Sequence, residues 1–384
     1  MRPDTVLLNW QERSIKKFTI KKLDSISKKK PVIHFWVPYP PGVAPSQRFR
    51  VELFLPRLEK EGYSFRLLTF LDKRAWNILY KPGHRFLKAW GTIKGFFRRI
   101  GHLFRSTKAD YIFIHREATP LGPPVFEWLL AKIFRKKIIH EFDDAIWIPG
   151  GEDISFIKRW LKATWKIKYI IKWSYKVAAG NNFLYEYARQ YNPSVFLIPT
   201  VVDTTQSHFK QRDQKEANKI VVGWTGTHTT LHNLEVIEGV IPELKKEIDF
   251  DFLLISNRPP QWNFDFIYKQ WELATEQDDL LKMHIGIMPS KQGPWFEGKC
   301  GFKLIQYHAC GIPAIASPTQ VNSLIALHNQ TGFIANNKDE WKIYLKKLIT
   351  DTALRSSMGD AGRKHIERNY SLNSLFPAFI SLFS

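Results

Sequence analysis

Cysteine is almost absent: Cys300 and Cys310 are the only two in 384 residues. A fold built on disulfides is therefore excluded, and the pair is expected to stay reduced in a reducing compartment. Long apolar runs are missing too. No window approaches the roughly 18 apolar residues of a spanning helix. Near the start, Asn9, Gln11, Glu12, Arg13 and several lysines interrupt any stretch of signal-peptide length. The expectation is a cytoplasmic protein that can lie on a membrane without crossing it. Acidic residues are scarce in one half only. Residues 1–200 hold 37 of the 57 lysines and arginines and 16 of the 36 acidic residues, whereas residues 201–384 hold 20 of each, so the net +21 lies entirely in the first half. An aromatic content of 14% and frequent strand-like runs exclude a disordered chain.

A length of 384 residues suits two domains of about 150 to 200 residues each. Residues 1–30 read as a basic lead-in. The run from Val32 to Val37 has the β-branched and aromatic content of a buried strand, and Pro38-Tyr39-Pro40-Pro41-Gly42 ends it. Ser46 is placed to cap a helix carrying Phe49, Leu53, Leu55 and Leu58, closed by Gly62. Further strands are expected at 65–70, 111–115, 137–140, 176–179 and 196–199, with helices between them. Residues 206–218 are polar and read as a linker. Strands follow at 219–224, 252–256, 284–288 and 314–317, with helices from about Leu231, Tyr268, Phe302 and Trp341. Strands separated by crossover helices imply parallel, doubly wound sheets. The predicted fold is α/β, with two Rossmann-like domains (31–205 and 219–365) facing a central cleft. A helical tail at 366–384 is expected to pack back on the first domain.

Two segments of the second half point to a bound anion. After the apolar run Ile220-Val221-Val222, Gly223 and Gly226 precede Thr227, Thr229 and Thr230. Glycines at a strand-to-helix turn let backbone N–H groups approach an anion, and the threonine hydroxyls can donate to a diphosphate. An ordinary glycine-containing turn reads equally well there. The stronger segment is Gly298-Lys299-Cys300-Gly301-Phe302-Lys303-Leu304-Ile305-Gln306-Tyr307-His308-Ala309-Cys310-Gly311-Ile312-Pro313. Lys299, Lys303 and Gln306 fall at spacings that place both ammonium groups and the amide on one side of a turn and helix. Two lysines at a helix start repel one another, and a shared diphosphate explains them better than a solvated face.

At these residues the chain resembles the GT-B glycosyltransferases, in particular the large family-4-like group (group 1) that makes bacterial surface polysaccharides and glycolipids. That group has an acidic residue, seven intervening positions, a second acidic residue, and then an Ala, small residue, Gly, x, Pro turn. The turn here is Ala309 to Pro313, the second acidic position is Gln306, and the first falls on Gly298 with Glu297 beside it. The segments His284 to Pro289, Ser317 to Asn322, Gly332-Phe333 and Met358 to Arg363 resemble later parts of the family pattern. The resemblance implies a nucleotide-sugar donor bound by Gly223, Gly226, Thr227, Lys299, Lys303 and Gln306. Arg258 is expected to help the two lysines supply the charge that many relatives place after the first strand of the second domain. It implies retention of anomeric configuration, a leaving phosphate oxygen that assists the acceptor's deprotonation, and no cofactor or structural metal. His284 reads as structural.

Three segments of the first half belong on the acceptor side. Gly42 to Arg50 resembles the family's glycine-rich acceptor loop, with Ser46, Arg48 and Arg50 as candidate contacts. Arg48 and Arg50 are two positions apart and do not share a helix face, so one is expected to reach phosphate and the other to be solvated. His115-Arg116-Glu117 ends a strand, either as part of the site or as a salt-linked strand end. The third segment, His140-Glu141-Phe142-Asp143-Asp144, follows an apolar strand, where parallel sheets bind ligands. The adjacent carboxylates of Asp143 and Asp144 are expected to raise one pKa and to bind or deprotonate a sugar hydroxyl, with Glu141 nearby. A metal shell from these four side chains fails on spacing. Asp143, Asp144 and Lys303 are the candidate catalytic residues.

The basic first half has its own pattern. Phe86, Trp90, Ile93, Phe97, Ile100 and Phe104 form one helical stripe among Arg85, Lys88, Lys94, Arg98, Arg99, Arg105 and Lys108. Residues 156–176 mix aromatics such as Trp165, Tyr169 and Trp173 with lysines. Basic amphipathic helices of this kind suit an anionic membrane surface, which would make the protein peripheral on the inner face of the cell membrane. Packing of either helix on a sheet is the structural alternative. Nucleic acid is not expected as a partner, because no recognition motif for it is present. The acceptor is expected to be a saccharide, lipid-linked if the basic face meets membrane. A sugar-nucleotide epimerase of the same fold, or an inactive relative, is the other reading that Gln306 leaves open.

Overall fold

The computed structural model describes residues 30–148, 161–215, 219–260, 262 and 264–384. The lead-in before residue 30, the start of the 156–176 segment and the last linker residues lie outside them.

Residues from Pro31 onward form one compact unit holding two six-stranded sheets. The first contains β1 (Val32–Val37), β2 (Ser64–Thr69), β3 (Tyr111–His115), β4 (Lys137–Phe142), β5 (Lys176–Ala179) and β6 (Val195–Leu197), in the order β2-β1-β3-β4-β5-β6. The second contains β7 (Val221–Gly226), β8 (Asp251–Ser256), β9 (Ile267–Gln270), β10 (Ile285–Met288), β11 (Ala314–Ala316) and β12 (Gly332–Ile334), in the order β12-β11-β10-β7-β8-β9. Every paired strand is parallel. Helices cover both faces of such sheets, which is why β1, β3, β4 and β10 are buried at nearly every position rather than alternately. This is the predicted doubly wound α/β class.

Local departures from expectation have clear causes. Tyr268 was predicted to open a helix but lies in the edge strand β9; the helix Glu276–Leu280 comes later. The segment after β7 is a ten-residue 3-10 helix, His228–Ile237, followed by the α-helix Val240–Glu247. The expected helix from Ser46 is broken into Pro45–Arg50, Glu52–Phe54 and Leu55–Lys60, with Pro56 opening the last piece. Its cap is Ala44, so the Ser46 hydroxyl is free for another partner.

The chain's last α-helix, Leu372–Ile380, sits on the first sheet. Leu372, Leu375, Phe376 and Phe379 share a core with Phe35, Phe54 and Phe113, and the Phe54 and Phe379 rings stack at 3.9 Å. The connector runs along the second half. Arg212 N donates to Cys310 O and the Gln214 amide to the carbonyls of His284 and Gly311.

Candidate active site

Strand order reverses between β1 and β3 in the first sheet and between β7 and β10 in the second. Crevices open outside the carboxyl ends of strands at such points. The segments after β1, β3 and β4, and the stretch between β10 and the helix Phe302–Ala309, all end there.

A buried relay forms the floor on the first-half side. The β3–β4 register sets His115 beside Glu141. One Glu141 oxygen accepts from Arg50 Nε at 2.7 Å, and the other meets His115 Nδ1. His115 Nε2 lies 3.0 Å from Ser46 Oγ. Arg50, His115 and Glu141 are all buried. Burial pushes the Glu141 carboxyl up, but Arg50 and His115 outweigh it and hold the group below its ordinary range. Ser–His–Glu connectivity resembles a hydrolytic triad. Here, however, Glu141 is neutralised by Arg50 and Ser46 is also bonded by Asp143, so the three groups act as a brace.

Above the relay stands Arg116, in a left-handed conformation at φ 65°. Its Nε donates to Asp143 Oδ1 at 3.0 Å and its Nη2 to Asp144 Oδ2. The other Asp144 oxygen accepts from Lys299 Nζ at 2.9 Å. The expected raised carboxyl is not found at Asp143. Burial favours it, but Arg116 fastens both carboxylates and, with His115 and Ser46, drives Asp143 well below its ordinary range. Asp143 is thus an ionised acceptor of hydrogen bonds, unsuited to act as a general acid near neutral pH.

The second half supplies the cations. Lys299 also lies over the Trp295 ring at 4.4 Å, and Lys303 over the buried Trp224 ring at 5.4 Å. No carboxylate pairs with Lys303 among the described residues. Burial, with some repulsion from Lys299, brings its ammonium pKa down to about 8. The loop carrying Lys299 is pinned to the first half: Asn181 Nδ2 donates to Glu297 O and Lys299 O, and Cys300 Sγ to Asp143 O. Gly298 explains the missing acidic residue at that position. A Cβ there would lie 2.5 Å from Ala145 Cβ, so no side chain fits while the halves touch. Cys300 and Cys310 are buried free thiols, pushed up by burial, Cys310 to about 12.

Several predicted contacts are placed elsewhere. Arg48 does not face an open phosphate site, because both its Nη atoms donate to the Glu276 carboxylate across the halves. Arg50 and Glu141 are enclosed and support the site instead of lining it. Gly223 lies inside β7, where an added Cβ would come 2.3 Å from Met283 Cγ; its role is packing. Gly226 and Thr227 do end β7 at the cleft, with Thr227 Oγ1 bonded to Thr229 Oγ1. Arg258 is exposed at the cleft rim and donates to Tyr80 O. Gln306 is buried, with its amide near His208 Nε2 at 3.4 Å. Of the two readings of His115-Arg116-Glu117 the salt-linked strand end is observed, with His115 on Glu141, Arg116 on Asp143 and Asp144, and Glu117 on Lys166. The partners themselves were not legible because they lie far along the chain.

A separate cavity of about 200 Å³ lies beyond the ends of β10, β11 and β12, lined by Ser290, Lys291, Ser317, Asn336 and Trp341 among others. None of the charged cluster lines it. Among the described residues no three His, Cys, Asp or Glu side chains are grouped so as to hold a metal ion.

Residues 209–365 match the glycosyl transferases group 1 family. No curated protein matched the sequence. Among solved structures, sucrose-phosphate synthase from Thermosynechococcus elongatus is similar over 92% of this chain and 98% of its own, with a TM-score of 0.67 and 14% identity. HepE of Anabaena, in complex with UDP and glucose, covers 92% of this chain and 98% of its own at a TM-score of 0.61 and 11% identity. An alpha-glucosyltransferase in complex with UDP-glucose and DNA containing an abasic site covers 92% and 99% at 0.62 and 12%. The chain has the GT-B fold of these glycosyltransferases, and its residues 209–365 belong to the group 1 glycosyl transferase family.

Proposed function

We propose that the protein moves a sugar from a nucleotide-diphosphate sugar to a hydroxyl of a lipid-linked saccharide at an anionic membrane surface, with retention of configuration and without a metal. The observation that carries this reading is Lys303, an ammonium with no carboxylate partner among the described residues, half-buried at the start of the helix Phe302–Ala309 and next to Lys299. A diphosphate satisfies both lysines and the helix N-terminus. The nucleotide-bound states of HepE and the alpha-glucosyltransferase support a nucleotide-sugar donor.

The demanding event is cleavage of the bond between the sugar's anomeric carbon and the diphosphate oxygen. Negative charge grows on the leaving group, and Lys299 and Lys303 lower that barrier electrostatically. To do so, Lys299 exchanges its present partner Asp144 for phosphate. Asp143 and Asp144, clamped by Arg116, accept hydrogen bonds from acceptor hydroxyls and fix the attacking oxygen. The new bond forms from that oxygen to the anomeric carbon, and its proton passes to a leaving phosphate oxygen. Lipid linkage and the membrane as partner are supported by the basic excess of the first half.

The test is incubation with a panel of nucleotide sugars, with and without saccharide acceptors. Release of nucleoside diphosphate that requires the acceptor is expected. Release without acceptor, or epimerised donor as the sole product, would overturn the reading.

A further inference from the structure

The helix Arg85–Ser106 is built inside out. Its buried face consists of Gly91, Gly95, Arg99, His102, Leu103 and Ser106. Gly91 and Gly95 bring it close to the domain, since a Cβ at either would come within 2.8 Å of Ala75 Cβ or 2.6 Å of the Phe70 ring. Arg99 is fully enclosed, donating to the carbonyls of Val37, Leu68 and Ala118 at 2.7–2.8 Å and covering the Trp36 ring. Ser106 Oγ accepts from Trp36 Nε1 at 2.9 Å. The polar side of the helix is thereby satisfied within the protein. The opposite side is the stripe Phe86, Trp90, Ile93, Phe97, Ile100 and Phe104, whose members are 44–80% exposed.

The outward stripe overturns packing on the sheet as its explanation. Six large apolar side chains in one continuous row on a surface mark an interaction face. Phe96, on the flank of the helix, meets Phe126 at 6.5 Å, and Trp128, Ile133 and Trp165 elsewhere in the first half are exposed as well. Along the helix itself the charge has one sign, and the carboxylate of Asp72, which precedes it, is paired with Arg98 at 3.0 Å. From Lys73 to Ala109 the sequence contains ten lysines and arginines and no acidic residue. Arg85, Lys94, Arg105 and Lys108 are exposed, while Arg99 and, farther along, Lys166 are withdrawn into the protein. Among the described residues no helix is long and apolar enough to cross a membrane.

We propose that this face is a docking surface for an anionic lipid bilayer, with the stripe lying in the interface and the flanking lysines and arginines on the headgroups. Aromatic and aliphatic side chains enter the acyl boundary, and cations on both sides add attraction to anionic lipid. The helix starts at the cleft rim: just before it, Tyr80 O accepts from Arg258 and the Tyr80 ring meets His228 at 6.1 Å. Docking therefore brings the mouth of the cleft to the membrane, which deepens the lipid-linked acceptor proposed above and rests on that reading for its purpose.

The experiment is flotation of the full chain with vesicles of mixed phosphatidylglycerol and phosphatidylcholine, against phosphatidylcholine alone. The wild type is expected to float with anionic vesicles and much less with neutral ones, and salt should weaken the attraction. The triple variant Phe86→Gln, Phe97→Gln, Phe104→Gln should bind at least about tenfold more weakly. Quenching of Trp90 fluorescence by brominated lipid, with Trp90→Phe as control, provides a second readout on an unaltered stripe. Equal binding by the triple variant, absence of wild-type binding, or a dimer that this variant dissociates while vesicles leave the wild type unmoved would each overturn the proposal. Donor turnover on a water-soluble acceptor should be unchanged in the variant. If vesicle binding persists but no acceptor supports turnover, the transfer reading fails and the docking surface stands.

Discussion

Replacing Lys303 with Met should make the empty enzyme more stable and nearly inactive. In the folded protein the ammonium pKa falls from its ordinary 10.5 to about 8, chiefly because burial disfavours the charge. That difference corresponds to roughly 3 kcal/mol against the charged form at neutral pH. Residual solvent contact screens part of it, so about 1–2 kcal/mol of stabilisation is expected from Met, which keeps the apolar stem over Trp224. The sign follows from proton binding. Between pH 8 and 10.5 the unfolded chain holds a proton that the folded chain has released, so wild-type stability rises with pH across that window. The advantage of the variant is therefore full below pH 8 and gone above pH 10.5. Urea denaturation of both proteins at several pH values isolates the difference, since other titrating groups cancel. Acceptor-dependent release of nucleoside diphosphate should fall by about 10²- to 10³-fold, the scale of losing one donor aimed at developing charge. Lys303→Arg should retain part of it. A variant that is less stable at neutral pH, a difference that ignores pH, or turnover within about threefold of wild type would refute the assignment, since a loss of that size is far below the scale expected for such a donor.

Gly223→Ala should destabilise the protein by about 1–3 kcal/mol through overpacking against Met283, while leaving the donor KM unchanged. Met283→Ala in the same chain should recover part of the loss, and a large rise in donor KM would restore the phosphate-loop reading. Arg48→Met and Glu276→Gln should each weaken the joint between the halves, whose ion pair is 2.9 Å long and mostly shielded. A double-mutant cycle by denaturation is expected to give a coupling of about 1 kcal/mol, and simple additivity would show that the pair is no brace.

Much of the fold was legible because parallel strands buried on both faces leave apolar runs that need no partner to recognise. Tyr268 misled because an edge strand packs one side only and carries polar residues that suit a helix equally well. At the site, the lysines of the 299–303 segment were legible from spacing along one short stretch. The state of Asp143 was not, since it depends on Arg116, which is 27 positions away and held at a positive φ.

The sequence alone determined two α/β halves, a cation pair at a helix start in the second, and a six-member apolar stripe within a strongly basic first half. Local periodicity is enough for each. Tertiary structure alone decided which face of the stripe helix is buried, that Arg50 and Glu141 neutralise one another beneath the cleft, and that Gly298 leaves no room for a carboxylate. For Gly298 the reason is steric contact with Ala145, and for the other two it is shared. A buried polar group must find partners, and those partners come from distant strands: the three carbonyls that hold Arg99 belong to Val37, Leu68 and Ala118. Once they satisfied the charged side of the helix, its apolar side was left to the outside.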